Sequence, residues 1–193
     1  MDHQIQGHTD IPLNEKGVAQ ASALADALAA YGIDVICSSD LSRAVHTANI
    51  IHERSPGVRQ IYTPLLRERN WGVIEGKRWP EIESDFKPDA EQIRSGSPDY
   101  APAGGESKND VAARVKELQE SILPELYGKT ILIVAHGGIC GVMIRLALGI
   151  DLSVRTPFRV DNCSISVVDI LDDGFSVIDT LNNTIHLREV GLL

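Results

Sequence analysis

The stretch KTILIVAHGGICGVMIRLALG, residues 129–149, decides the fold. Its first part, within KTILIVAHGG (129–138), is the most apolar of the runs that predict a strand. A histidine and the glycines Gly137 and Gly138 follow, and an apolar helical pattern then runs to Gly149. A buried strand that passes directly into a helix is the repeating unit of a parallel sheet covered by helices. The stretch therefore predicts an α/β fold.

The alternation of strands and helices continues in both directions from that stretch. Periodic apolar patterns predict helices in residues 13–31, 40–55 and 107–126, and short apolar runs predict strands in residues 33–39 and within 60–76. Ser39 or Asp40 is expected to cap the second of these helices, and Ser107 the third.

The remaining segments complete the predicted architecture. Residues 77–105 are rich in proline and glycine, which indicates a surface excursion that contains some helix. Further on, SISVVDIL (164–171) and FSVIDTLN (175–182) flank the turn sequence DDG, which predicts a β-hairpin. We predict one domain over residues 1–193, a three-layer α/β/α sandwich with a mostly parallel central sheet.

Composition excludes several classes of partner. The net charge of −9 argues against non-specific binding to nucleic acid or to an anionic membrane, since both require a basic surface. No apolar run approaches the length of a bilayer span, and no signal segment opens the sequence. The three cysteines, Cys37, Cys140 and Cys163, show no paired spacing, which favours free thiols in a reducing compartment. We therefore expect a cytoplasmic protein.

Unusual polar residues follow two of the predicted buried strands. Arg43 comes early in the helix after residues 33–39, and His136 comes between the strand and the helix of the 129–149 stretch. Ligands in open α/β sheets bind beyond the carboxyl ends of the strands, and a helix N-terminus favours anions. These residues therefore indicate a phosphate pocket. Taken singly they also fit structural roles, and Glu68, which lies between Arg67 and Arg69, also fits an exposed salt-bridge cluster.

Two other kinds of site are not supported. The segment HGGICG (136–141) resembles a dinucleotide fingerprint, but His136 stands where that motif requires glycine. The six histidines include no pair at i,i+4 spacing, and no CxxC sequence occurs. We expect neither a metal nor a cofactor.

Five segments in a fixed order carry a resemblance to a known family: QGHTDIPLNEKG (6–17), SSDLSRAVHTA (38–48), LRERNWGVIEG (66–76), GGES (104–107) and VAHGG (134–138). Together they resemble the histidine phosphatase superfamily, which includes the cofactor-dependent phosphoglycerate mutases. The segments DNCSISVVDI (161–170) and LNNTIHL (181–187) look like the closing strands of its bacterial phosphatase branch. The resemblance covers essentially the whole chain.

The resemblance implies a role for each matching residue. Arg43 binds the phosphoryl group, and His136 stabilises it during transfer. Glu68 is the general acid that protonates the leaving oxygen and then activates water. Gln6, Gly7 and the backbone of Gly137 lie beside the substrate. The implied reaction is metal-independent hydrolysis of a small phosphorylated metabolite through a phosphohistidine, by positioning and charge neutralisation.

One part of the family pattern is missing from this sequence. In the family, an apolar strand ending in Arg-His-Gly precedes the segment that QGHTD matches, and its histidine is the nucleophile. No Arg-His-Gly occurs here. His3 lies close before Gln6 and follows no strand, so we do not expect it to substitute. The resemblance therefore implies a fold without its first strand, a truncated N-terminus, and a chain that is unstable and close to inert as a phosphatase.

Three alternatives stay open. A phosphatase is favoured over a mutase because only about forty residues separate Glu68 from GGES, where mutases carry a longer insertion. The nearest analogues are broad phosphatases and those acting on α-ribazole phosphate.

The rival interpretation is a non-catalytic module that binds phosphorylated ligands, and a homodimer is also left open. The genomic sequence upstream of Met1 would distinguish a truncated enzyme from such a module.

Overall fold

The computed structural model describes residues 4–193. The helices are α1 (Glu15–Leu28), α2 (Ser42–Arg54), α3 (Trp79–Asp85), α4 (Lys87–Ser95), α5 (Lys108–Ser121), α6 (Gly137–Ala147) and α7 (Ile185–Glu189). The strands are β1 (Val35–Ser39), β2 (Arg59–Thr63), β3 (Ile131–Val134), β4 (Ile165–Ile170) and β5 (Ser176–Asn183). The surface excursion predicted for residues 77–105 thus contains α3 and α4.

The central sheet is parallel, with the strand order β2-β1-β3. Ile36 of the middle strand is in register with Gln60 on one side and with Leu132 on the other. All five residues of β1 are buried, as the apolar run predicts. Strands β4 and β5 form a separate antiparallel pair, so the predicted hairpin is present but is not hydrogen-bonded into the central sheet.

Helices cover both faces of the central sheet. Ile36 points to a core formed with Leu24 of α1 and Ala48 of α2. The next residue, Cys37, points to the opposite core, which contains Val115 of α5 and Ile139 of α6. Successive side chains of a strand face opposite sides, so this alternation places α1 and α2 on one face and α5 and α6 on the other. The predicted three-layer α/β/α architecture is confirmed.

The edge of the central sheet at β3 lies next to the hairpin. Val134 of β3 and Ile165 of β4 belong to the same apolar core, although the two strands lie in different sheets. Within the described residues, the edge of β3 that faces away from β1 and the edge of β4 that faces away from β5 have no strand partner. The two strands nevertheless contribute to one apolar core. None of the helices in residues 4–193 is long and apolar enough to cross a membrane.

Helix capping follows the prediction at α5 but not at α2. The Ser107 hydroxyl accepts a hydrogen bond from the Asp110 N–H, and Asp110 accepts one from the Ser107 N–H, which forms a capping box. The prediction of Ser39 or Asp40 as the cap of α2 is wrong, because the N-cap residue is Leu41 and the Asp10 carboxylate accepts the hydrogen bond from the Ser42 N–H at 2.8 Å. The side chains of Ser39 and Asp40 instead bind elsewhere in the site region.

The prediction of a final strand in LNNTIHL (181–187) is wrong in its second half. Strand β5 ends at Asn183, and α7 begins at Ile185. Asn182 adopts a positive φ of 52°, and the Asn183 side chain accepts a hydrogen bond from the Ile185 N–H. Asparagine tolerates left-handed backbone and caps helices with its side chain, so this pair turns the chain out of the hairpin.

Candidate functional site

Arg43 and His136 meet at the carboxyl edge of the central sheet. Arg43 is the second residue of α2, directly after β1, and His136 is the N-cap residue of α6, directly after β3. The Arg43 Nε lies 3.2 Å from the His136 Nδ1. Because β1 and β3 are parallel neighbours, their carboxyl ends carry the two side chains to the same place.

The His136 ring is neutral and both of its nitrogens are engaged. Burial, followed by the positive charges of the Arg43 and Arg114 guanidinium groups, lowers the pKa of His136 from its ordinary value to about 3. An arginine Nε can only donate, so Nδ1 accepts and the proton lies on Nε2. That nitrogen lies 2.9 Å from the Ser39 Oγ, to which it donates. In this arrangement His136 orients Arg43.

The Arg43 guanidinium is held by the loop that precedes α1. One terminal nitrogen donates to the Gly7 carbonyl at 2.8 Å, and the other donates to the Thr9 carbonyl at 3.0 Å. No carboxylate of the described residues lies within ion-pair distance of this guanidinium. Burial lowers the pKa of Arg43, which the more distant carboxylates of Glu68 and Asp10 oppose. Within residues 4–193, the site therefore contains a half-buried cation that has no direct counterion.

Glu75 anchors the same loop. Its carboxylate accepts hydrogen bonds from the His8 N–H at 2.7 Å, from the Thr9 N–H at 2.8 Å and from the Trp71 N–H at 3.0 Å. Burial opposes ionisation, yet these hydrogen bonds and one from the Thr9 hydroxyl lower the pKa of Glu75. Sequence reasoning missed this residue, because its role depends on His8 and Thr9, which lie more than 60 positions away in the sequence.

The loop requires glycine at position 7. Gly7 adopts a φ of +56°, and a Cβ there would lie 1.9 Å from Glu75 Oε1. Gly7 is buried and contacts Arg43 through its carbonyl. Gln6, by contrast, has an exposed side chain, and its carbonyl accepts the Thr9 N–H at 3.0 Å. The structure thus joins Gly7 to Arg43 and leaves the Gln6 side chain on the surface of the loop.

The Glu68 carboxylate contacts the first turn of α6. Its Oε2 accepts a hydrogen bond from the Gly138 N–H at 2.9 Å, and its Oε1 accepts one from the Arg69 N–H at 2.7 Å. A Cβ at position 138 would lie 2.2 Å from Glu68 Oε1, so this approach requires glycine. Sequence reasoning expected the backbone of Gly137, the first residue of this helix, to lie beside the substrate. The residue in direct contact with Glu68 is Gly138.

The backbone around Glu68 is fixed by a pair of ionised side chains. Arg114 of α5 donates to the Leu65 carbonyl at 2.8 Å and to the Glu68 carbonyl at 3.3 Å, and it pairs with Glu106 at 2.7 Å. The His8 Nε2 donates to the Glu68 carbonyl at 2.8 Å, which links this segment to the loop that holds Arg43.

The arginines that flank Glu68 in sequence bind elsewhere. Arg67 forms a bidentate pair with Asp40, at 2.7 and 2.6 Å. Arg69 donates to the carbonyls of Glu106 and Tyr100. Neither side chain forms an ion pair with Glu68 among the described residues. No group of three or more potential metal-ligating side chains converges anywhere in residues 4–193.

Comparison with known proteins identifies the class of this fold and site. The profile of the histidine phosphatase superfamily (branch 1) matches residues 1–184. A probable phosphoglycerate mutase, GpmB, of Cronobacter sakazakii (strain ATCC BAA-894) is 34% identical over 191 residues, which cover 96% of this chain and 88% of the relative. The chain therefore belongs to the histidine phosphatase superfamily, as the sequence motifs predicted.

Solved structures give the same result. The α-ribazole phosphatase of Shigella flexneri matches with a TM-score of 0.85 at 25% identity, over 94% of this chain and 89% of that one. A mycobacterial glucosyl-3-phosphoglycerate phosphatase, in complex with VO3, matches with a TM-score of 0.82 at 30% identity, over 95% of this chain and 92% of that one. Phosphatases and a probable mutase thus share this fold.

Proposed function

We propose that the chain binds phosphate monoesters at the Arg43 site and that this site is of the metal-independent phosphatase type. The observation that carries the proposal is the Arg43 guanidinium, which lacks a direct carboxylate partner among the described residues and is held by His136 at the N-terminus of α6. An arginine fork matches the oxygens of a phosphoryl group, and a helix N-terminus adds unpaired N–H groups and positive dipole.

We assign the roles within this proposal as follows. Arg43 grips the phosphoryl group, and Gly137 offers its backbone at the helix terminus. His136 holds the Arg43 side chain in place and, through it, stabilises the transferred group. Glu68 serves as the general acid, since it is bound to Gly138 on that same first turn. The loop of Gln6 and Gly7 closes over the arginine.

We propose that the nucleophilic step is the part of the family reaction that these 193 residues do not supply. The sequence contains no Arg-His-Gly. Both ring nitrogens of His136 are engaged, by Arg43 and by Ser39, and the Nε2 of His8 donates to the Glu68 carbonyl. His3 lies outside the described residues. We propose that phosphohistidine formation does not occur in this chain, so that it binds phosphorylated metabolites with little or no turnover.

Calorimetric titration of orthophosphate and of vanadate, with and without EDTA, tests the binding proposal. We expect binding that EDTA leaves unchanged and that the R43Q variant weakens by roughly tenfold or more, because a charged hydrogen-bond donor is lost. Arg54 of the same helix, an exposed residue paired with Asp26, supplies the matched control R54Q. Equal affinity in R43Q and R54Q would refute the assignment, and binding abolished by EDTA would indicate a metal site instead.

We infer the cellular setting from the composition of the chain and from the burial of its thiols. The three cysteines are free, and burial raises the pKa of Cys37 to about 11, so that thiol stays protonated and unreactive. We propose a cytoplasmic protein that acts as a single domain on small phosphorylated metabolites. Light scattering would decide between a monomer and the homodimer that the sequence leaves open.

A further inference from the structure

The hairpin of β4 and β5 has one face that packs on the protein core and one that faces solvent. Val167 of β4 packs against the core that β1 and α1 share. The register pairs Asp169 with Val177, and the Leu171 N–H donates to the Phe175 carbonyl. Alternate residues of a strand, and residues directly opposite each other on two strands, lie on the same face. The second face, which we call the outer face, contains Asp169, Leu171, Phe175, Val177, Asp179 and Leu181.

The outer face is mostly apolar and is uncovered. All six of its residues are exposed, and the exposed fraction reaches 65% for Phe175 and 47% for Leu171. Exposure on this scale means that no element of residues 4–193 covers the face. An apolar sheet face is stabilised when another layer packs on it, and exposed apolar patches often mark interaction sites. The outer face is therefore a candidate docking surface.

The hairpin is also acidic. Residues 160–187 contain five aspartates and neither lysine nor arginine. Among the described residues, none of these aspartates lies within ion-pair distance of a lysine or an arginine. Two of them, Asp169 and Asp179, belong to the outer face itself. The face therefore combines apolar surface with negative charge that is not neutralised locally, and it complements a partner that is both apolar and basic.

Two other modes of docking fit this hairpin less well. A second copy of the chain would bring the same aspartates together, and like charges repel each other across an interface. Addition of a strand to the free edge of β5 requires a regular edge. The register between β4 and β5 shifts on both sides of Val167, and Asn182 has a positive φ of 52°, so this edge is irregular. These features favour docking on the face over docking on the edge.

We propose that the outer face binds an amphipathic helix of another protein, in which an apolar stripe is flanked by lysine or arginine. The apolar stripe covers Leu171, Phe175 and Val177, as α1 and α2 cover one face of the central sheet. The basic side chains beside the stripe meet Asp169 and Asp179. The proposal does not depend on phosphate binding, because no residue of the candidate phosphate site belongs to the hairpin.

Two synthetic peptides test the proposal by fluorescence anisotropy. Each is a helix of about 18 residues, long enough to form in water, with leucine along one face. The other positions carry lysine in one peptide and glutamate in the second. We expect the wild-type chain to bind the lysine peptide roughly tenfold or more tightly than the glutamate peptide, because opposite charges attract and like charges repel.

Charge reversal on the outer face shows whether this face is the one that binds. The D169K/D179K variant should prefer the glutamate peptide. The matched control is E91K/E117K, which changes the net charge equally at two exposed residues of other helices and should keep the preference for the lysine peptide. The F175T/V177T variant keeps residues that favour strands but shortens the apolar surface, so it should bind the lysine peptide at least fivefold more weakly.

Several outcomes would overturn the proposal. These are equal binding of the two peptides by the wild type, a preference for the lysine peptide that D169K/D179K retains, and an equal loss of that preference in E91K/E117K. A dimer in light scattering that F175T/V177T abolishes would assign the face to a second copy of the chain instead. If D169K/D179K fails to fold, F175T/V177T decides the matter, and unchanged affinity of that variant for the lysine peptide refutes the assignment.

Discussion

The Arg43 Nε lies 3.2 Å from the His136 Nδ1, a contact between residues 93 positions apart that joins the ends of β1 and β3. The contact fixes the protonation of His136, because a donor that is never deprotonated requires an acceptor opposite it. The imidazole therefore stays neutral in the folded chain, and its pKa is lowered to about 3.

This pKa shift predicts how stability depends on pH. In the unfolded chain the His136 pKa returns to its ordinary value near 6.5, so between pH 6.5 and 3 the unfolded state binds more protons. Stability is complete above that window and is lost as pH falls through it. As the pH falls from 7 to 5, we expect the titration of this residue to lower the free energy of unfolding by about 1–2 kcal/mol.

Urea unfolding at pH 7 and at pH 5, for the wild-type chain and for H136Q, measures the effect. The difference in the free energy of unfolding between the two pH values should be smaller in H136Q. Parallel pH profiles for the two proteins would show that His136 is not held neutral in the folded state.

The close approach of Gly138 to Glu68 predicts a substitution that damages the site but not the fold. Alanine favours helix over glycine by up to ~1 kcal/mol, so G138A should keep or slightly raise the melting temperature. Its Cβ displaces the Glu68 carboxylate from the Gly138 N–H, because the two cannot occupy the same space. The measurement is thermal unfolding combined with phosphate-ester titration.

Gly141 provides the control for this prediction. It lies on the same helix, and a Cβ there meets nothing within 4 Å. The G141A variant should gain similar stability and bind phenyl phosphate as the wild type does. Identical ester binding by G138A and G141A would contradict the importance of the Glu68 position.

The sequence predicted that Arg43 and His136 belong to the site because both lie at the ends of neighbouring strands. Arg43 and His136 each follow a strand of the central sheet, and parallel neighbours bring such positions together wherever the strands pair. The local pattern could not indicate Glu75, because its hydrogen-bond partners, His8 and Thr9, lie more than 60 positions away. The same limit applies to Ser39, whose hydroxyl binds His136 rather than capping α2.

The hydrogen bonds to Glu75 predict a second loss of stability at low pH. Its lowered pKa means that it stabilises the fold above its ordinary pKa of 4.5 and that this contribution is lost as pH falls below that value. The E75Q variant keeps the shape of the side chain but removes the charge and one acceptor. We expect a loss of about 1–3 kcal/mol in the free energy of unfolding at pH 7, together with weaker phosphate binding.

Exposed Glu53 of α2 supplies the control for this comparison. The E53Q variant should change the free energy of unfolding by less than about 0.5 kcal/mol. If E75Q and E53Q unfold at the same urea concentration and bind phosphate equally, Glu75 does not hold the loop that contacts Arg43.

Turnover by the 193-residue chain tests the proposal that the nucleophilic step is missing. Under the proposed function, Arg43 positions the ester and Glu68 transfers a proton, but no covalent intermediate divides the reaction into two easier steps. Hydrolysis of p-nitrophenyl phosphate should therefore be no faster for the wild-type chain than for its R43Q and E68Q variants, although the wild type binds phosphate. If the wild type hydrolyses the ester and both variants lose that activity, a residue of this chain supplies the nucleophile. Acid-labile labelling by a phosphorylated substrate would then locate it, with His3, His8 and His136 as the residues to replace first.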